Sequence, residues 1–319
     1  MRLSIVSTMY RSEAYLREFH ARVRAAARQV TEDYEIVLVN DGSPDGSLAA
    51  ALGLQAEDAR VKVVDLSRNF GHHQAMWAGL EHARGDWVFL IDCDLEESPE
   101  WLALFAREQE TSGSDVVYGV QEARGDRWSQ RWGAWLFYKL FNALCDDPLP
   151  QHLMTVRLMS RRYVDALLMH EERSFVIAGL WARTGFQQQP VRVAKAGKKA
   201  TTYSLFRRAK LFVEAITSFS SKPLIFIFYL GVVLFTVSAL IGAGLVTGQL
   251  LGKGMMAGWP SLMVSIWLLG GLIIFCQGIQ GIYLAKVYLE TKRRPVTLVR
   301  QVYERPGGAA RHERLRLVD

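Results

Sequence analysis

Two aspartates, Asp92 and Asp94, leave the apolar run WVFLIDCD (87–94) two residues apart, and Glu96, Glu97 and Glu100 follow in DLEESPEW. Five carboxylates within nine positions, where a buried strand would end, call for an explanation in terms of charge. Four are open: a hydrated loop, a helix start whose dipole favours acids, a metal site, or a general base. Glu97 and Glu100 flank Ser98-Pro99, a cap residue followed by proline at the first helical position, and suit the helix start. Asp92 and Asp94 differ, because like charges approaching one point need a cation to be tolerated. Mg²⁺ or Mn²⁺ suits them: a hard ion held by one or two carboxylates that completes its shell with substrate phosphates. A lone DxD is a weak signal, so its surroundings decide.

Those surroundings alternate. Apolar runs LSIVSTMY (3–10), EIVLVNDGS (35–43), VKVVDLS (61–67), WVFLIDCD (87–94) and DVVYGV (115–120) are continuous, as strands covered on both faces are. Helical spacing separates them over Glu13–Gln29, His72–Arg84 and Pro99–Gln109. The pattern predicts an α/β fold, a doubly wound, mostly parallel sheet whose ligands bind at the carboxyl ends of strands. Asp92 and Asp94 stand at one such end, and Asp41, in VNDGSPDGS (39–47), at another. From about Trp128 the pattern turns helical.

Charge divides the chain. Residues 1–204 carry a net −3 and residues 205–319 a net +9, within a total of +6. The basic half also holds the longest uncharged runs, 30 residues between Lys222 and Lys253 and 32 between Lys253 and Lys286. Crossing a bilayer takes about 20 apolar residues, so two membrane spans are expected, and basic residues beside such spans face lipid headgroups rather than nucleic acid. Arg207, Arg208, Lys210 and Lys222 precede the pair and Lys286, Lys292, Arg293 and Arg294 follow it, which puts both ends on the cytoplasmic side of the inner membrane as a hairpin. The expected order is a cytoplasmic catalytic domain (1–203), an interfacial amphipathic helix (204–222), spans at 223–252 and 257–286, and a basic cytoplasmic tail (287–319). Helix 204–222 could instead pack on its own domain. Gln277 and Gln280, polar within the second span, would be satisfied by packing between copies of the chain, an expectation of a homo-oligomer such as a tetramer. The cysteines, Cys93, Cys145 and Cys276, suggest neither a disulfide framework nor a zinc site.

Taken together, VSTMYRSEAYL, VNDGSPDGS, NFGHHQAMWAGLEHARGD (69–86) and the DxD resemble, in order, the landmarks of family 2 glycosyltransferases with the glycosyltransferase-A fold. More narrowly, residues 1–295 resemble membrane-bound polyprenyl-phosphate hexose synthases, with TSFSSKPL (217–224) and YLAKVYLETKRRP (283–295) matching the approach to and the exit from the membrane. The resemblance implies a UDP- or GDP-linked sugar as donor, a polyprenyl phosphate such as undecaprenyl phosphate as acceptor, and inversion at the anomeric carbon. It puts Asp94 on the metal, with Asp92 holding metal and nucleotide. Asp41 and Tyr10 would meet the base, although a packed aromatic explains Tyr10 equally well. Glu13, Ser67, Asn69 and Gly71 complete the nucleotide set that it implies. Arg124, Arg127 and Arg131, with Lys199 and Arg207 toward the bilayer, would hold the lipid phosphate through the bidentate fork that arginine offers. One of His72 and His73 would be a start-of-helix or diphosphate contact.

Two departures stand out. Where relatives continue the DxD with Leu-Gln-Asp-Pro-Pro-Glu, this chain has Leu-Glu-Glu-Ser-Pro-Glu, so Glu96 is either a third metal ligand or a solvated side chain. Where relatives have Gly-Asp-Phe-Arg-Leu, this chain has Met154-Thr155-Val156-Arg157-Leu158, and the customary Asp is Thr155. A hydroxyl acceptor would miss a base there, whereas a phosphate monoester, with a second pKa of about 6, would not. A polysaccharide-building transferase and a non-catalytic membrane scaffold on the same fold are the alternatives. Neither glucose, mannose nor an aminosugar is singled out.

Overall fold

The β-branched residues concentrated in the first four runs bury on both faces, and each run pairs with its neighbours in parallel. The computed structural model describes residues 2–121, 153–173, 175, 177–194, 220, 222–250 and 258–305. Strands β1 (Leu3–Met9), β2 (Tyr34–Asn40), β3 (Val61–Leu66) and β4 (Trp87–Leu90) form the parallel centre, in the spatial order β4-β1-β2-β3. Helices α1 (Glu13–Arg28), α2 (Ser47–Glu57), α3 (His72–His82) and α4 (Trp101–Ser112) make the crossovers. Leu16, Phe19, Leu54, Leu102 and Phe105 belong to the core on one face of the sheet, and Met76, Trp77 and Leu80 to the core on the other.

The sheet is wider and less parallel than the sequence pattern implies. After β5 (Val116–Gln121), strand β6 (Leu153–Ser160) inserts antiparallel between β4 and β5, and β7 (Gln188–Val193) lies parallel to β5 at the edge. Short helices α5 (Arg161–Leu168) and α6 (Ile177–Arg183) follow β6. The hidden strand β6 carries a basic residue that argues against burial, yet Arg157 is wholly enclosed. Its guanidinium lies over the Trp181 ring, 3.0 Å from the centroid, and donates to the carbonyls of Thr155 and Met154. Burial lowers its pKa to about 9, so the group is still a cation near neutrality.

Two long helices, α7 (Lys222–Leu250) and α8 (Trp259–Thr291), come next. Among the described residues, Leu269–Thr291 is long and apolar enough to cross a membrane, and Lys222–Leu234 is a shorter apolar stretch. The end of α8 is fastened to the first domain. The Glu290 carboxylate accepts the Arg173 backbone N–H at 2.9 and 3.0 Å, and the Tyr283 hydroxyl donates to the Ser220 carbonyl at 2.6 Å. The chain then re-enters the sheet. Strand β8 (Val299–Tyr303) pairs antiparallel with β3, giving the eight-stranded order β7-β5-β6-β4-β1-β2-β3-β8. Part of the segment expected as a basic tail is therefore structural, and the sheet of the first domain does not end at residue 203.

Close packing of β1 against the turn before β4 leaves no room for a side chain at Gly85, where a Cβ would lie 2.5 Å from the Ser4 backbone nitrogen and 2.8 Å from the Leu3 carbonyl carbon. Backbone cannot swing aside as a side-chain tip can. Gly85→Ala is expected to destabilise the protein by about 1–3 kcal/mol through overpacking, seen as a lowered thermal midpoint of the purified full chain, and an unchanged midpoint would contradict that packing.

Candidate active site

Polar side chains collect where β1, β2, β3 and β4 end. Asp41, immediately after β2, is buried and accepts the backbone N–H groups of Phe70 at 2.7 Å and Gly71 at 3.1 Å. Burial raises its pKa, and those two N–H groups with the charges of His72 and Arg68 offset part of the rise. The approach requires glycine: Gly42 has φ of 58°, and a Cβ there would lie 2.4 Å from the Asn69 nitrogen. The turn after β2 and the turn before α3 thus touch backbone to backbone. Between them opens a cleft of about 140 Å³ lined by Thr8, Tyr10, Asp41, Asn69, Gly71 and His72.

Four of the expected nucleotide residues, Tyr10, Asp41, Asn69 and Gly71, therefore share one cleft, and Tyr10, 46% exposed, forms part of its wall rather than packing inside. The other two do not line it. Glu13 turns to the 43–47 loop, its carboxylate accepting the Gly46 N–H at 3.0 Å while its own N–H meets Asp45 at 3.3 Å. In the same loop Asp45, although desolvation acts to raise it, is held at about 2 by hydrogen bonds from Ser43, Ser47 and Glu13. Ser67 is engaged through its backbone, its N–H donating to the Leu298 carbonyl and its carbonyl accepting from Arg300. Sequence reasoning left Thr8 out of the site. Its hydroxyl lies 3.1 Å from His72 Nδ1, and His72 Nε2 lies 3.4 Å from the Asp92 carboxylate. His72, at the first position of α3, so joins the cleft to the acidic turn, while burial pushes its neighbour His73 down to about 4 and leaves it neutral.

The acidic turn sorts its carboxylates. Ile91 and Cys93 are buried in one core cluster, and the two-residue period leaves Asp92 and Asp94 half-exposed on the other side. Leu95, at φ of 60°, reverses the backbone, and the Glu96 N–H donates to Asp94 Oδ1 at 3.0 Å. Helix α4 begins at Trp101, with Ser98 and Pro99 in the turn before it. Glu100 serves that end of the helix and also chelates the Arg22 guanidinium at 2.8 and 2.7 Å; the hydrogen bond to Arg22 holds its pKa at about 2. Glu97 departs from the helix-start expectation, because it is buried and accepts the Thr155 N–H of β6 at 3.1 Å. Cys93 donates to the Thr8 carbonyl at 3.0 Å, and burial, reinforced by the adjacent aspartates, raises its thiol to about 11.

Among the described residues no three His, Cys, Asp or Glu side chains converge as a ready-made metal cage, so Glu96 is not gathered with the two aspartates into one. A pair of half-exposed carboxylates still fits Mg²⁺ or Mn²⁺, which take few protein ligands and keep places for phosphate oxygens and water. The expected lipid-phosphate residues Arg124, Arg127, Arg131, Lys199 and Arg207 lie outside the described residues.

The sheet, the cleft at its carboxyl edge and the acidic turn beside it form one α/β domain with its polar side chains gathered at one edge. The chain belongs to glycosyl transferase family 2, whose model matches residues 4–168. A Mycobacterium tuberculosis (strain CDC 1551 / Oshkosh) protein described as "Putative glycosyltransferases" is 50% identical over 303 residues, covering 95% of this chain and 89% of its own. The "Prophage bactoprenol glucosyl transferase homolog" of Escherichia coli (strain K12) is 31% identical over 306 residues, covering 95% and 99%. Among solved structures, glucosyl-3-phosphoglycerate synthase from Mycobacterium tuberculosis with Mn²⁺, UDP and phosphoglyceric acid aligns at a TM-score of 0.47 and 19% identity, over 68% of this chain and 76% of that one. That likeness is too distant to carry over any detail of chemistry.

Asp41→Ala should leave the Phe70 and Gly71 N–H groups without their carboxylate acceptor, a loss of about 1–3 kcal/mol. The expected result is a lower thermal midpoint together with faster amide exchange at residues 69–71; unchanged exchange there would show that Asp41 does not hold the cleft.

Proposed function

We propose that the enzyme transfers a sugar, with inversion and with help from a divalent ion, from a nucleotide-sugar to a polyprenyl phosphate at the cytoplasmic face of the membrane. The observation that carries this reading is the return of the chain: the sheet presenting Asp41, Asp92 and Asp94 at its carboxyl edge is completed by β8, directly after a helix apolar enough for a bilayer. A chain that leaves a sheet, enters a membrane and rejoins the same sheet crosses an even number of times. If Leu269–Thr291 crosses, α7 crosses as well, and its 29 residues, at 1.5 Å rise each, exceed the roughly 30 Å hydrocarbon core. The basic residues flanking the pair favour the cytoplasmic side for the catalytic domain. The name of the Escherichia coli relative, aligned along nearly all of both chains, supports bactoprenol phosphate, a polyprenyl phosphate, as acceptor and glucose as a sugar to try first. Gln277 and Gln280 are exposed on α8, which is compatible with packing against a second copy of the chain.

In this reading the nucleoside lies in the cleft of Tyr10, Asp41 and Asn69, with the diphosphate directed past His72 toward Asp92 and Asp94. Asp94, with Asp92, would hold Mg²⁺ or Mn²⁺, which when bound offsets the charge growing on the departing diphosphate. His72 lies where a proton on Nε2 can be shared between Asp92 and a phosphate oxygen. The acceptor phosphate is already ionised near neutrality, so attack on the anomeric carbon needs no base. Thr155, in the place of the family's usual Asp, suits that acceptor, and its backbone is held by Glu97. Arg124, Arg127 and Arg131 would neutralise the acceptor headgroup, with Lys199 and Arg207 nearer the bilayer. Anchoring to the membrane confines the search for a lipid headgroup to a plane.

The test is transfer by the full chain from a panel of radiolabelled nucleotide-sugars to undecaprenyl phosphate in detergent or vesicles. One sugar should move into an organic-extractable, mild-acid-labile product, chelation should abolish the transfer, and Mg²⁺ or Mn²⁺ should restore it. Asp94→Ala should lose at least a hundredfold (about 2.7 kcal/mol) of activity while retaining the wild-type melting profile. Absence of lipid product with every donor would sink the acceptor assignment, and wild-type-like turnover by Asp94→Ala would sink the metal role.

A further inference from the structure

The cleft walls are held from behind by a residue that arrives from the far end of the chain. Arg300, on β8, reaches across the β3 edge and donates through one terminal nitrogen to Asp65 Oδ2 at 3.2 Å and through the other to the Ser67 carbonyl at 2.7 Å. Asp65 is 1% exposed, and its other oxygen accepts the Asn40 amide at 2.7 Å. The Asn40 carbonyl oxygen in turn accepts the Ser43 N–H at 3.2 Å, and the Ser43 hydroxyl accepts the N–H of Arg11 at 2.7 Å, next to Tyr10. One wall of the cleft, Tyr10 and Asp41, is thus linked to Arg300 through Asp65, Asn40 and Ser43. The other wall, Asn69 and Gly71, begins two residues beyond the Ser67 carbonyl that Arg300 holds.

We propose that Arg300 is a positioning residue for the nucleotide cleft, so that donor binding depends on the docking of the strand that returns from the membrane helices. The inference rests on the nucleotide reading of the cleft given above. A buried carboxylate with two committed oxygens fixes the amide that meets it, and a fixed Asn40 fixes the turn it caps. Without Arg300, Asp65 keeps one neutral partner and is free to take other rotamers, Asn40 follows it, and the Ser43 turn loses its register with Tyr10. Small displacements of this kind cost binding without touching the reacting atoms.

The same strand supplies its own control. At the opposite end of β8, Glu304 pairs with Arg84 at 3.2 Å and Lys62 at 3.4 Å, at the amino end of β3 and away from the cleft. Both ends fasten β8, but only Arg300 connects to the cleft. In the full-length protein in detergent, binding of UDP and, in a parallel arm, GDP is measured by calorimetry, alongside steady-state kinetics and melting. Arg300→Ala is expected to weaken binding of the nucleotide that wild type accepts, and to raise the donor KM, about five- to twentyfold. Its kcat should stay within about twofold of wild type and its KM for undecaprenyl phosphate should not move. Arg300→Lys should recover part of the loss, and Glu304→Ala should lower the melting temperature without changing nucleotide affinity. Arg300→Gln, which keeps bulk and one amide donor, carries the same test should the alanine variant not be recovered.

Nucleotide affinity equal to wild type in both the Arg300→Ala and Arg300→Gln proteins, with melting lowered as in Glu304→Ala, would reduce Arg300 to a staple and overturn the inference. Parallel rises in the donor and lipid KM would overturn it too. If wild type binds neither nucleotide, or Asp41→Ala binds as tightly as wild type, the cleft assignment itself fails and takes this inference with it. A loss in Asp41→Ala without one in the Arg300 variants removes the inference alone.

Discussion

An open sheet must end at two edges, and each edge strand exposes a row of backbone donors and acceptors that other chains can claim. Here the β3 edge is closed by β8, which is separated from β3 in sequence by more of the catalytic domain and both long helices. Closure by so distant a segment imposes a constraint on everything between. The exit of α8 must reach the level of β3. The Glu290 contact to the Arg173 backbone and the burial of Lys62 between Glu35 and Glu304 fasten that return at more than one point. The end of α8 is therefore tied to the sheet by a paired strand rather than by a loose tether.

The acidic turn shows how one short segment divides its charge. Glu100 is neutralised by Arg22, and Glu97 is taken inside to satisfy the Thr155 N–H, with the buried cation of Arg157 on the same strand. Asp92 and Asp94 remain half-exposed, Asp92 beside His72. Negative charge at the end of a buried strand is tolerable because two of the five carboxylates serve the fold. Those two hold the turn between α1 and β6, so the aspartates are presented on a backbone fixed by β4 before them and by Glu97 and Glu100 after them. Leu95 in the left-handed region adds to that conclusion, because a branched side chain there needs surrounding contacts to hold it.

The central strands were legible because apolar runs with both faces covered cannot be mistaken for polar surface, and β1 to β5 fall within a few residues of the runs that mark them. Three strands were not. β6 hides behind Arg157, whose burial is completed by Trp181, and Thr155, whose backbone N–H is met by Glu97, partners far away in sequence. β7 reads QQPVRV, with a proline and an arginine suited to an edge, and β8 reads VRQVY inside a basic stretch. Edge strands are stabilised mainly by pairing, and pairing leaves little trace in a single sequence. Within the site, Tyr10, Asp41, Asn69 and Gly71 came together as the order of motifs suggested. Thr8 escaped notice because it lies inside a strand run, where alternation gives no sign that its hydroxyl faces a histidine. Glu13 and Ser67 entered the nucleotide set through the family resemblance, and their hydrogen bonds go to the Gly46 N–H and to the returning segment.

In the proposed reaction a soluble donor would have to meet a lipid headgroup, a geometric problem that neither substrate solves. The donor would arrive from water and the acceptor would be confined to a plane, so the distance between the cleft and that plane would have to be held to within the length of a bond-forming approach. Flexible linkers of about 20 residues fluctuate over tens of ångströms and cannot do this. A strand hydrogen-bonded into the sheet can, because each ladder step is fixed to fractions of an ångström. Val63, Val64, Asp65 and Leu66 pair with Tyr303, Val302, Gln301 and Val299 within a single register irregularity, at Asp65/Leu66. That irregularity falls beside the carboxyl end of β3, where the chain turns toward Asn69 and Gly71. That ladder is thus also the last regular structure before the cleft of Tyr10, Asp41 and Asn69, and in the proposed reaction both distances would be measured from the same strand.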